Sequence, residues 1–112
     1  FGEFHGRDEI KAWIMDIMPR VGRIEFVPVG PELNNGKTYL QEWVQVAVTS
    51  TGERVPMTRG TSVRRYKDGS TIYAADYFDT ATLTTPEVLA ASRDCGSTIT
   101  TDDIMKYKLR GL

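Results

Sequence analysis

Apolar residues recur at two different spacings along the chain, and the spacing separates a helical segment from extended ones. Residues 6–20 carry an apolar stripe at helical spacing, formed by Ile10, Trp13, Ile14, Ile17 and Met18. We expect Asp8 to cap this helix and Pro19 to end it. We also expect the stripe to pack against a sheet, because the apolar face of a helix is stable when another layer covers it.

After residue 22 the apolar positions alternate with polar ones, which is typical of β-strands. Strands are predicted over residues 23–29, 38–48 and 54–66, and a fourth begins at residue 73. Asn35-Gly36 and Asp68-Gly69 are sequences of tight hairpin turns. Consecutive strands should therefore pair antiparallel.

Two short helices should follow the strands. Thr85 and Pro86 are a helix start, as N-cap and first helical residue, and Thr101 should cap a last helix. This order of elements predicts an α+β fold, in which helices cover one face of a curved antiparallel sheet. We expect a single domain over residues 1–112. Because the helices are few for strands of this length, we also expect N-terminal helices to be missing.

Composition limits the partners and the chemistry. The chain has 112 residues, with 14 basic and 15 acidic side chains, a balance that favours neither nucleic acid nor an anionic membrane as partner. No apolar run approaches the length of a membrane span. Cys95 is the one cysteine, which fits a reducing cytoplasm, and with His5, the one histidine, it is too little for a zinc site. We therefore expect a cytoplasmic protein with no metal and no cofactor.

The stretch from residue 73 to residue 83 contains two carboxylates among aromatic and small residues. Alternation along a strand places Ala74, Asp76 and Phe78 on one face, and Asp79 on the other. A carboxyl group removed from water has a raised pKa and can act as a general base or acid at neutral pH. The alternative is a structural Asp76, paired with Arg59 or Arg65. Asp79 is expected at the surface.

Four motifs together resemble the nuclear transport factor 2-like superfamily. They are Gly-Arg-Asp-Glu-Ile-x-x-Trp at the first helix, the long central hairpin, Arg-Tyr-x-Asp-Gly, and Asp-Tyr-Phe-Asp from residue 76. The branch they resemble comprises the SnoaL-like polyketide cyclases and the limonene epoxide hydrolases, over residues 1–83. The resemblance implies a cone-like sheet with helices on its concave face, a deep apolar pocket and two more helices before residue 1.

The resemblance also implies a site. Asp76 would be the acid or base of an isomerase, cyclase or lyase that acts on an apolar cyclic or polyketide-like substrate, with His5 as a second titrating group. The substrate would be bound by Trp13, Phe26, Tyr39, Trp43, Gln45 and Phe78. Epoxide hydrolases carry a charged pair where Trp43 and Gln45 stand here, so hydrolysis is less expected. The alternative is a non-catalytic ligand-binding or dimerisation module of the same fold.

The second strand carries an apolar row on the face opposite Trp43. The row consists of Leu40, Val44, Val46 and Val48. If Trp43 lines the pocket, this row lies on the outer face of the sheet, where an apolar strip usually marks an interface. We therefore expect a homodimer formed through this face, since two-fold pairing is the commonest way to cover such a strip.

Overall fold

A computed structural model describes residues 2–106, apart from the side chains of residues 101, 104 and 105. Its elements are α1 (Gly6–Ile17), a 3-10 turn (Met18–Arg20), β1 (Ile24–Asn34), β2 (Thr38–Val48), β3 (Arg54–Lys67), β4 (Ser70–Phe78), a second 3-10 turn (Ala81–Thr84), α2 (Pro86–Asp94) and α3 (Thr101–Lys106). The expected α+β class is confirmed. The four strands form one curved, unclosed antiparallel sheet in the order β1-β2-β3-β4. Within residues 2–106, no helix has both the length and the apolar character needed to cross a bilayer.

Both predicted hairpin turns are present. The side-chain oxygen of Asn35 accepts hydrogen bonds from the backbone N–H groups of Lys37 and Thr38, at 2.9 and 2.8 Å. Asp68 and Gly69 have φ of 51° and 78°, and two consecutive positive φ angles are those of a type I′ turn. β1 extends to Asn34, beyond the predicted end at residue 29, because its last residues still pair with the start of β2 across an irregular register.

The register assigns each side chain to one of two faces, since directly opposed residues point the same way. Trp43 opposes Gly60, which in turn opposes Phe78. We call their side the Trp43 face; it carries Ile24, Phe26, Tyr39, Gln41, Trp43, Gln45, Ala47, Val55, Ser62, Arg64, Ala74, Asp76 and Phe78. The other side, the valine face, carries Glu25, Val27, Leu40, Val44, Val46, Val48, Arg59, Val63, Arg65, Tyr73, Ala75 and Tyr77.

The core lies where α2 packs on one end of the Trp43 face. It consists of Ala47, Met57, Val88, Ala91 and Cys95, surrounded by Ile24, Val55 and Leu83. α2 starts as predicted, with the Thr85 hydroxyl accepting a hydrogen bond from the Val88 N–H at 3.4 Å. The Cys95 thiol is 2% exposed and donates to the Ser92 carbonyl, so this cysteine is a core side chain.

The first helix departs from expectation. Its N-cap is His5 rather than Asp8, and the cap makes no side-chain hydrogen bond. No Cα atom of α1 lies within 8 Å of a Cα atom of a strand, so the expected packing against the sheet is wrong. Ile10 and Ile14 remain 43% and 42% exposed, while Ile17 is buried. The described connection of this segment to α3 lies just after its C-terminal end.

Arg20 makes that connection, because it joins the end of the first helical segment to α3. Its two terminal nitrogens donate to the two carboxylate oxygens of Asp103 at 2.7 and 2.9 Å, and its Nε donates to the Asp16 carbonyl. These bonds hold the pKa of Asp103 well below its usual range and raise the pKa of Arg20. Asp103 and Thr100 also cap each other's backbone N–H groups, so Thr100 caps α3 rather than the expected Thr101.

Candidate functional site

Trp43 lies across the neighbouring strand at the middle of its face. A Cβ atom at Gly60 would approach within 2.5 Å of the Trp43 Cη2 and within 2.6 Å of the Tyr77 carbonyl oxygen. Glycine at this position therefore leaves room for the indole to cover β3. The ring is only 6% exposed, so Trp43 itself offers a ligand little surface.

Two phenylalanines flank the indole. Phe26 meets Trp43 edge-on, with ring centroids 4.9 Å apart and an interplanar angle of 81°, and the Phe78 centroid lies 6.4 Å from that of Trp43. Phe26 is 58% exposed. Phe26 is therefore the more exposed ring, on the side of the indole away from β4, and the half-buried Phe78 is the ring on the same strand as Asp76.

A chain of hydrogen bonds runs from Trp43 to the acid. The indole Nε1 donates to the Ser62 hydroxyl at 2.9 Å, and this hydroxyl donates to Asp76 Oδ1 at 2.7 Å. Arg64 Nη1 donates to the same Oδ1 at 3.1 Å and to the carbonyls of Val63 and Ala75. Asp76 Oδ2 accepts no hydrogen bond from the part of the chain that the structure describes. We call Ser62, Arg64 and Asp76 the polar cluster.

Asp76 shares a face with Trp43, but the expected burial is wrong. Its side chain is 49% exposed, because α2 covers the opposite end of this face. Its ionic partner is Arg64, not Arg59 or Arg65. The register explains the difference, since Arg59 and Arg65 lie on the valine face, whereas Arg64 stands beside Asp76 and opposite the small Ala74.

The structure brings most of the predicted binding residues onto one surface. Phe26, Tyr39, Trp43, Gln45, Asp76 and Phe78 lie on the Trp43 face. Trp13 does not join them in the described contacts; its ring packs on Phe4 at a centroid distance of 5.0 Å. His5 lies at the start of α1, with its Nε2 bonded to Glu3 at 2.8 Å, and no described contact links it to Asp76.

Sequence reasoning missed Ser62 and Arg64 as members of the site. Counting back from the Asp68-Gly69 turn pairs Lys67 with Ser70, which places Asp76 opposite the wrong residue. The register shifts by one between Arg65 and Tyr66, because β4 contains one extra residue, Ile72. Nothing in the sequence pattern marks this bulge, so the partners of Asp76 could not be read from the turn.

Metal ions and cavities are two other features that bear on ligand binding. In residues 2–106, no group of three or more His, Cys, Asp or Glu side chains is arranged to hold a metal ion. A cavity of about 470 Å³ lies beside the β1–β2 hairpin, lined by Glu32, Leu33, Asn34, Asn35, Thr38 and Leu40. This lining contains no member of the polar cluster.

Comparison with known proteins adds no relative. No protein-family model, curated protein or solved structure matches the chain. The resemblance to the nuclear transport factor 2-like superfamily therefore stays a prediction from the sequence motifs, and function has to be argued from the site itself.

Proposed function

We propose that the chain is a non-catalytic ligand-binding module, which holds a small cyclic molecule on the open end of the Trp43 face. In this proposal the curved sheet forms one wall of a cone-like fold of the nuclear transport factor 2 type. The observation that carries the proposal is the environment of Asp76. One of its oxygens is held by Ser62 and Arg64, while the other is left for a ligand, two residues along β4 from the half-buried ring of Phe78.

Binding is favoured over catalysis by the exposure of the acid. Acid–base catalysis by a carboxyl group at neutral pH is favoured by its removal from water. The Asp76 side chain is 49% exposed and lies in an ion pair, so this condition is not met in the free chain. A fixed hydrogen-bond acceptor is the simpler role for such a group.

The polar cluster also indicates the class of ligand. Asp76 Oδ2 can accept a hydrogen bond, and the Arg64 guanidinium has N–H groups beyond the one nitrogen that binds Asp76. A ring that carries a neighbouring donor and acceptor, such as a cyclic amide or a hydroxy ketone, matches this pair. Its flat face would pack on Phe78, which is half-buried two residues along β4 on the same face, where aromatic contact adds to the polar bonds.

Ligand retention and affinity test the proposal. We expect native mass spectrometry of the purified protein to find a bound small molecule, and cyclic amides or hydroxy ketones to raise the melting temperature. A hydrogen bond to a charged group contributes about 1.5–3 kcal/mol, so Asp76→Asn should weaken binding roughly 10- to 100-fold. Asp79→Asn is the matched control, because Asp79 caps the turn at Ala81 instead. Equal affinities of the two variants would refute the role of Asp76.

A second candidate function is acid–base catalysis by Asp76, as an isomerase, cyclase or lyase. It is supported by the position of Asp76 beside Ala74 on the Trp43 face, with an accessible oxygen. Asp76→Asn should then lower turnover of a ring ketone by about a hundred- to ten-thousand-fold, while binding is retained. Binding without turnover at any pH would leave the binding module as the function.

A homodimer through the valine face is a separate proposal. Leu40, Val44 and Val48 are half-buried in the single chain, and Val46 is 6% exposed. Glu25 and Arg54, on the strands either side of β2, form an ion pair at 2.7 Å that spans it near Val46. The apolar strip left for a partner is therefore smaller than the sequence row suggests.

A further inference from the structure

The two edges of the sheet differ in how they are protected from further pairing. β1 carries Pro28 and Pro31 and an irregular register between Val29 and Leu33, features that natural sheets use to block an edge. β4 has no proline, and its one irregularity, at Ile72, lies before residues 73–78. In the described part of the chain, no strand pairs with its outer side.

The backbone groups that β4 presents to a partner can be identified. The Asp79 N–H donates to the Arg59 carbonyl at 3.2 Å, which makes these residues a hydrogen-bonded pair. In an antiparallel ladder, hydrogen-bonded and non-hydrogen-bonded pairs alternate. The N–H and C=O groups that point away from β3 are therefore those of Ala74, Asp76 and Phe78.

This edge is compatible with a second copy of itself in one register. With a two-fold axis at Ala75, Ala74 and Asp76 of one copy exchange hydrogen bonds with Asp76 and Ala74 of the other. Tyr73 then lies opposite Tyr77 on the valine face, an aromatic pair of the kind that stabilises cross-strand contacts. The residue on the axis is small, so the strands can approach.

Charge favours this register over its neighbour. An axis at Asp76 would place two carboxylates directly opposite each other, whereas an axis at Ala75 separates them along the diagonal. Each Asp76 also keeps its own Arg64 as ionic partner. The Ala75 register covers Tyr77 and Tyr73, which are 60% and 39% exposed in the single chain.

We propose that β4 pairs antiparallel with β4 of a second copy about a two-fold axis at Ala75, which joins two four-stranded sheets into one. The pairing uses backbone groups of β4, including those of Asp76, whose side chain belongs to the proposed ligand site, but it needs neither a ligand nor the valine-face strip and stands if either of those proposals fails. The partner is another molecule of this chain rather than an unrelated peptide, because the register is self-complementary in size, charge and aromatic contacts.

Sedimentation and cross-linking test the pairing. The wild-type chain should sediment at micromolar concentration with twice its mass of 12.6 kDa. Ala74→Pro removes an N–H that faces away from β3, so this variant should be monomeric with the same circular dichroism. Ala75→Cys should form a symmetric disulfide under mild oxidation. Ala74→Cys should not, because its two copies would be offset along the diagonal, too far apart for a bond.

Three outcomes would overturn the proposal. They are a wild-type monomer at about 100 μM, equal cross-linking of the two cysteine variants, and a dimer that survives Ala74→Pro but is lost in Val44→Glu. The last result would place the contact on the valine face. Val44 suits this control because it opposes Arg59, which can accommodate a carboxylate in the monomer. If Ala74→Pro fails to fold, the two cysteine variants still decide the question.

Discussion

The two ends of the Trp43 face use the same strands but differ in what covers them. At one end, α2 lies on the sheet, and small or apolar side chains such as Ala47, Ala91 and Cys95 are buried. The helix α2 does not reach the other end, where Ser62, Arg64 and Asp76 form a partly exposed polar cluster. Trp43 lies between the two ends and is hydrogen-bonded to the open one.

This difference shows that the face of a strand and its burial are separate properties. The pairing register places Asp76 on the same side as Ala47, but α2 covers only one end of that side. The covered end should therefore control stability, while the open end should control binding. Four changes to the chain test this division, from the largest expected effect to the smallest.

Gly60→Ala should disturb the boundary between the two ends. The new methyl group would overlap both the Trp43 ring and the Tyr77 carbonyl, so we expect a loss of about 3 kcal/mol in urea unfolding. Gly52→Ala separates contact from backbone strain. Gly52 has a φ of 85° and open space around its Cβ position, so its loss should be about 1 kcal/mol. Equal losses of stability in the two variants would mean that the overlap with Trp43 costs no more than the backbone strain at Gly52.

Met57→Ala tests the covered end by itself. Met57 is 8% exposed in the core cluster, so its truncation should lower stability by about 2 kcal/mol. Met15→Ala removes the same atoms from a side chain that is 69% exposed on α1, and its melting temperature should hardly change. A similar loss in both variants would show that α1 is packed in solution against a surface that the single chain leaves open.

The Arg20–Asp103 ion pair should make the stability depend on acid pH. The folded state lowers the pKa of Asp103 below its usual value of about 3.9, chiefly through the hydrogen bonds from Arg20. Its contribution is therefore complete above pH 4 and is lost as the pH falls through the folded pKa. Melting curves of the wild type and Asp103→Asn should differ at pH 7 and converge in strong acid. A constant difference would exclude this linkage.

Asp76→Asn should have the smallest effect on stability. An exposed ion pair contributes about 0–1 kcal/mol, so the melting temperature should stay nearly unchanged even though ligand binding is weakened. A buried pair would instead cost about 3–5 kcal/mol when one partner is removed. A large drop in melting temperature would thus mean that Asp76 supports the fold rather than a ligand.

Much of the fold was predictable because its signals are local. The Asp68-Gly69 turn, the Thr85 cap and the alternation of β2 each depend on a few neighbouring residues, and all three predictions are confirmed. The position of α1 was not predictable in this way. Its apolar stripe indicates that one side prefers cover, but not which element supplies it, and the Arg20–Asp103 contact joins residues 83 positions apart.

The candidate site divides along the same line. The sequence determined by itself that Asp76 and Phe78 share a face of one strand, since alternation is a property of the extended backbone. Only the tertiary structure decided that this face is the one that carries Trp43, because the extra residue at Ile72 shifts the pairing of β4 with β3. The tertiary structure also leaves Asp76 in contact with water, because burial depends on where α2 packs, and α2 lies at the other end of the sheet.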